Sequence, residues 1–173
     1  MPITPFHLGP GTLIKAIIPS WFSLSAFTLT QLIIDSELAY YYLMQEEPFY
    51  RFLHSYVGAS AVLTACLILG KPVCQLWLKI WNKMAASGPH SRLYVNEVIP
   101  YKSIAIGSAL GVYSHIFLDS FITAELQPLY PWSTENALYG STNLVLFHFF
   151  LLVLGTVGVF WLLLMTLTHK FRS

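Results

Sequence analysis

Apolar positions along this chain gather into four long regions separated by short polar stretches. They cover about residues 12–34, 56–81, 103–122 and 143–168. Roughly 20 consecutive apolar residues cross a bilayer as a helix, and the third and fourth regions meet that length. The fourth is the cleanest, with no charged residue between Glu135 and Lys170. The second is punctuated by Gly70, Lys71 and Pro72. The first holds Pro19-Ser20 in its middle, with Lys15 just before it. Ser20 is a suitable N-cap. The region therefore reads as two helices, about residues 12–18 and 20–42, folded as a hairpin. A single Pro-kinked transmembrane helix is the plainer alternative. The choice matters: a hairpin brings His7 and Asp35 to the same membrane face, whereas a straight helix separates them by roughly 40 Å. The pattern predicts an all-α integral membrane bundle, an N-terminal broken hairpin followed by about three transmembrane helices, in one domain over residues 1–173.

Composition agrees. Hydrophobic residues make up 55% of the 173 residues and charged residues 10%, against roughly 25% charged in an average soluble domain; mean hydropathy is +0.61. The net charge of +1 and the lack of a basic groove argue against nucleic acid. The N-terminal MPITPFHLGPG has no basic leader region, so no cleavable signal peptide is expected. Cys66 and Cys74, eight positions apart in one apolar region, lie roughly 12 Å apart on a helix, too far for a disulfide; packed or lipid-facing thiols are expected. Lys71, Lys79, Lys83, Arg92 and Lys102 precede or border the third region, and Lys170 and Arg172 end the chain. The positive-inside rule puts both groups in the cytoplasm, with residues 123–142 on the other side. Tyr40, Tyr41, Tyr42, Tyr130 and Trp132 then form an interfacial aromatic belt.

Two ionisable residues break the third region. His115 and Asp119 are four positions apart, hence on one helical face, and ionisable groups in such a segment are costly to keep. Below them the same four-residue series continues through Gly111, Gly107 and Ser103. The GxxxG part allows close helix packing; the upper part is a candidate site. Asp35 and Glu37 form a second acidic cluster in IIDSELAYYY. At i, i+2 they reach one cavity only if the helix ends or bends there. His54 begins the second region, and His7 joins the same end if the hairpin forms. Three imidazoles and three carboxylates without a thiolate suit Zn²⁺, with Mn²⁺ or Fe²⁺ as alternatives. His148 is a weaker candidate ligand, and His90 and His169 fall on the cytoplasmic side. The plainer readings are a buried Asp–His hydrogen bond, solvated helix-end acids and an interfacial His54.

The segments MPITPFHLGPG, IIDSE, FLHSYVGA, YSHIFLDS and PLYPW occur in an order that resembles the LexA-regulated (YdjM-like) predicted membrane-bound metal-dependent hydrolases, over nearly the whole chain. The order His, Asp, His, His-x-x-x-Asp is also similar, more distantly, to zinc-dependent phospholipase C and P1-type nucleases. The resemblance implies a metal centre of His7, Asp35, His54, His115 and Asp119, with Glu37 as an accessory catalytic acid. Such proteins carry a histidine followed by an acid after the third helix. Here that stretch reads Ile122-Thr123-Ala124-Glu125, which leaves Glu125 for the acidic role and no histidine. It further implies a bacterial inner-membrane location, with the C-terminus cytoplasmic, and a small or lipid-like substrate.

These observations converge on metal-dependent hydrolysis of phosphoester or lipid-linked compounds at the membrane surface. Two non-enzymatic alternatives use the same residues: a metal-binding or transport protein, and a structural membrane protein with a buried Asp–His network. No Gly-rich phosphate loop, GxSxG or HExxH is present, and the absence of HExxH and of a paired-aspartate motif disfavours an intramembrane protease.

Overall fold

A computed structural model describes residues 6–85 and 94–167. It is all-helical among the described residues: α1 (Leu8–Ile17), α2 (Leu24–Met44), a single 3-10 turn (Phe52–His54), α3 (Tyr56–Ala85), α4 (Tyr101–Ile122) and α5 (Leu144–Leu167). Of these, α3, α4 and α5 are long and apolar enough to cross a membrane.

The first apolar region is a hairpin. Helix α1 descends from His7, the chain reverses over residues 18–23, and α2 returns. Ser20 is not the cap of α2. Ser23 takes that position in extended conformation, its hydroxyl accepting the Ala26 N–H at 3.2 Å. The shift has a packing cause: Phe22 is fully buried against Phe27, so the turn must extend to residue 22 before a helix can start. Ser20 instead lends its carbonyl to the Ser103 hydroxyl at 2.8 Å. Lys15 closes the turn by donating to the carbonyls of Pro19 and Phe22.

Gly70, Lys71 and Pro72 do not break the second region, since α3 runs through all three. Here Lys71 lies over the Tyr101 ring at 4.4 Å. Cys66 and Cys74 are both buried and unbridged, packed thiols rather than lipid-facing ones.

Helices α2 and α4 run parallel and in close contact: Ser23 lies beside Ser103, Gln31 beside Gly111, and Asp35 beside His115. The GxxxG glycines make this possible. A Cβ at Gly107 would collide with the Ser23 carbonyl, and one at Gly111 with the Thr30 hydroxyl. Helix α3 packs antiparallel along α4, its Cys66 level joining Val62, Val112 and Ile116 in one apolar cluster. Helix α5 packs mainly on α1, where Gly9 meets Leu151 and Gly155.

The loop after α4 is tied down at the His7 end of the bundle. Asn136 donates to the carbonyls of Ser120 and Thr123, capping the last turn of α4, whose carbonyls have no helical partner. The Tyr56 N–H binds the Pro128 carbonyl at 2.9 Å. Asn143 caps α5 by accepting from Val145 and Leu146.

Candidate metal centre

The parallel α2/α4 register puts Asp35 level with His115, and the hairpin returns His7 to the same end. The 3-10 turn before α3 adds His54. Helix α4 supplies His115 and Asp119 on one face, four residues apart. The five residues expected from the sequence to be metal ligands thus come from four separate segments of the chain and meet at one end of the bundle. Two overlapping triads could each hold a metal ion: His7, His115 and Asp119, and Asp35, His54 and His115, with the ligand atoms in each within 4.8 Å of one another.

The geometry is close. His7 Nε2 lies 3.1 Å from Asp119 Oδ1. His115 Nε2 lies 3.3 Å from Asp119 Oδ2 and 3.4 Å from Asp35 Oδ1. The His7 and His115 rings stack at 4.6 Å between centroids, and His54 meets His115 edge-on at 5.6 Å. His7, His54 and His115 are at most 1% exposed and Asp119 3%. The Asp35 side chain is the most open of the five, at 19%.

These near approaches are not aligned hydrogen bonds. His7 Nε2, His54 Nε2, His115 Nε2 and Asp119 Oδ1 are all buried without a hydrogen-bond partner. Each such atom left alone costs about 1–3 kcal/mol, and finding several within one small volume is unusual for a bundle core. A divalent cation satisfies lone pairs on imidazole nitrogen and carboxylate oxygen at once. The donor set, nitrogen and oxygen without sulfur, fits Zn²⁺, and also Mn²⁺ or Fe²⁺.

Glu37 stands behind this centre rather than in it. Helix α2 runs on to Met44 through both acids, so the helix end expected from their spacing does not occur there. Asp35 faces His115, while Glu37 turns to the 3-10 turn. Its carboxylate accepts from His54 Nδ1 at 2.9 Å and from the backbone N–H groups of Leu53 at 2.9 Å and Arg51 at 3.2 Å. Glu125 is exposed on the turn after α4 and belongs to neither triad. His148 is half-buried, its Nδ1 2.7 Å from the Leu144 carbonyl and its ring against Phe6; it too is outside both triads. His90 and His169 lie outside the described residues. The groove lined by Tyr42, Gln45, Glu47 and Phe49 contains none of the ligands.

Two residues at the centre escaped the sequence reading. Gln31 is fully buried and binds His115 Nδ1 through its side-chain oxygen. Its spacing, four residues before Asp35 in an apolar run, was the available signal. Tyr50 packs edge-on to His54 at 4.9 Å. Burial pushes its phenol pKa up, and the nearby Asp119 and Asp35 charges add to this. Nothing in its local sequence marks it out. No family model, curated protein or solved structure matches this chain.

Proposed function

We propose that this protein is a membrane-bound metal-dependent hydrolase acting on phosphoester or lipid-linked substrates. One observation carries the reading: five ligand-type side chains from four segments converge, with buried nitrogen and oxygen atoms that no protein group satisfies. His7, Asp35, His54, His115 and Asp119 would hold the metal, Zn²⁺ first and Mn²⁺ second. A bound divalent ion lowers the pKa of a water ligand and stabilises developing oxyanion charge. The chain's own part is to present fixed ligands, to exclude bulk water from three buried imidazoles, and to leave an opening at Asp35. Glu125, exposed on the turn after α4, would keep the accessory acidic role.

The lysines of α3 and α4 (Lys71, Lys79, Lys83 and Lys102) all lie toward the opposite end of the bundle. The positive-inside rule then orients the centre outward, with the C-terminus cytoplasmic, in a bacterial inner membrane. A centre near a bilayer surface suits an amphiphilic substrate. Transport is disfavoured by packing, since the path from His115 toward the other end is closed by Gly111 on Thr30 and Gly107 on Ser23.

A second reading is a structural Asp–His network without metal, favoured by the direct His7–Asp119 approach of 3.1 Å. Elemental analysis of detergent-purified protein separates the two. Wild type should carry one or two zinc or manganese ions per chain after metal-replete preparation, and a folded His115→Ala/Asp119→Ala variant should carry none. Absence of metal from wild type sinks the hydrolase reading.

A further inference from the structure

His115 and His54 each use one ring nitrogen outside the centre, and what they meet there decides where their protons sit. The Gln31 side chain bridges two groups. Its amide nitrogen donates to the Gly111 carbonyl at 2.9 Å, and its oxygen faces His115 Nδ1. A carbonyl can only accept, so the amide cannot be turned round: the NH₂ must face Gly111 and the oxygen must face His115. An amide oxygen also only accepts. The proton of neutral His115 therefore sits on Nδ1, and Nε2 is left with its lone pair.

The same logic applies at His54 with different chemistry. Glu37 receives the fixed backbone N–H groups of Leu53 and Arg51 on its two oxygens. A carboxylate facing those donors acts as an acceptor toward His54 Nδ1 at 2.9 Å as well. His54 Nε2 is then bare, buried and without a protein partner. Gln31 and Asp35 are i, i+4 on α2, so one helical face supplies both a group that orients a histidine and a candidate ligand.

We infer that Gln31 and Glu37 are positioning residues that hold His115 and His54 in the Nδ1–H tautomer, so that both turn an unprotonated Nε2 into the centre. For the neutral rings the tautomers follow from the hydrogen bonds at Nδ1, since the carboxylate oxygens near His115 Nε2 are not aligned with it. Their consequence for metal affinity rests on the metal-centre reading. Groups that hold the far nitrogen of a ligating histidine typically change metal affinity by about 10- to 100-fold. Glu37 on this account acts through His54 and not on substrate.

The test uses full-length protein in detergent with ¹⁵N-labelled histidine. Long-range ¹H–¹⁵N spectra of metal-free protein, recorded at a pH where both rings are neutral, report each ring's tautomer, assigned from single histidine replacements. Zinc affinity is measured in parallel by competition with a chromophoric chelator. Wild type should show Nδ1–H for both rings. Gln31→Leu should free the His115 tautomer and weaken zinc binding about 10- to 100-fold; Glu37→Leu should do the same through His54. Gln31→Glu, which keeps an acceptor, should retain the His115 tautomer. An Nε2–H signal for either ring in wild type overturns the proposal. So does unchanged zinc affinity in both leucine variants when wild type binds zinc. If wild type binds no zinc at all, the metal reading falls, and the tautomer spectra alone decide the roles of Gln31 and Glu37.

Discussion

Helices α4 and α5 look alike as apolar segments and behave as opposites in the bundle. Helix α4 buries eleven of its 22 residues, among them His115 and Asp119. Helix α5 buries only Leu151 and Gly158 of its 24. The contrast lies in composition along one face. Helix α4 carries Ser103, Gly107 and Gly111 at four-residue intervals, which let α2 approach backbone to backbone; large side chains surround most of α5. Lipid tails are as apolar as leucine, so a helix is not driven inside a membrane bundle by hydrophobicity. It is drawn in by small residues that pack and by polar groups that need partners, and α4 has both.

Gly111→Val should break this contrast most severely. The added carbons would overlap Thr30 and the Phe27 backbone, and overpacking a rigid contact costs about 3 kcal/mol or more. The expected result is loss of the α2–α4 contact, read as aggregation or a collapsed unfolding midpoint in detergent. A variant as stable as wild type would mean that the two helices do not meet there.

A matched pair of truncations sharpens it. Ile116 on α4 is fully buried, while Phe160 on α5 is 61% exposed. Ile116→Ala should cost about 2 kcal/mol or more. Phe160→Ala removes the larger side chain, yet should stay within about 0.5 kcal/mol because most of that side chain touches no protein. Equal losses in unfolding titrations would show that α5 is covered by protein.

The smallest effect on stability should come from single cysteines at the two ends. Trp132→Cys and Met84→Cys replace residues 81% and 82% exposed. Position 132 should react with an impermeant thiol reagent added outside the cell, and position 84 only after the membrane is opened. The reverse pattern would invert the proposed orientation.

Much of the candidate centre was legible because its parts obey local rules. The i, i+4 spacing of His115 and Asp119 puts them on one face wherever the helix goes. Pro19 breaks the first region, and of the two readings that break allowed, a hairpin or one kinked helix, the hairpin is the one that returns His7 to the level of Asp35. Other features were hidden. Ser20 looked like the cap, and burial of Phe22 moved the start of α2 three residues on. Asp35 and Glu37 looked as if they needed a helix end to share one site. In the fold, the 3-10 turn sets His54 beside Glu37 while Asp35 faces His115, so each acid reaches the same neighbourhood from its own side.

That the chain is helical and apolar, where its helices lie to within a few residues, and which residue types stand at one end are all legible in the order of its residues. Those properties depend on periodicity, length and local propensity, which are carried within about twenty neighbouring residues. That Gln31 meets His115, that Glu37 stands behind His54 and that Tyr50 packs against it emerges only in the folded bundle. Those contacts join residues up to 84 positions apart, and they depend on helix register and on a turn whose shape no local pattern encodes.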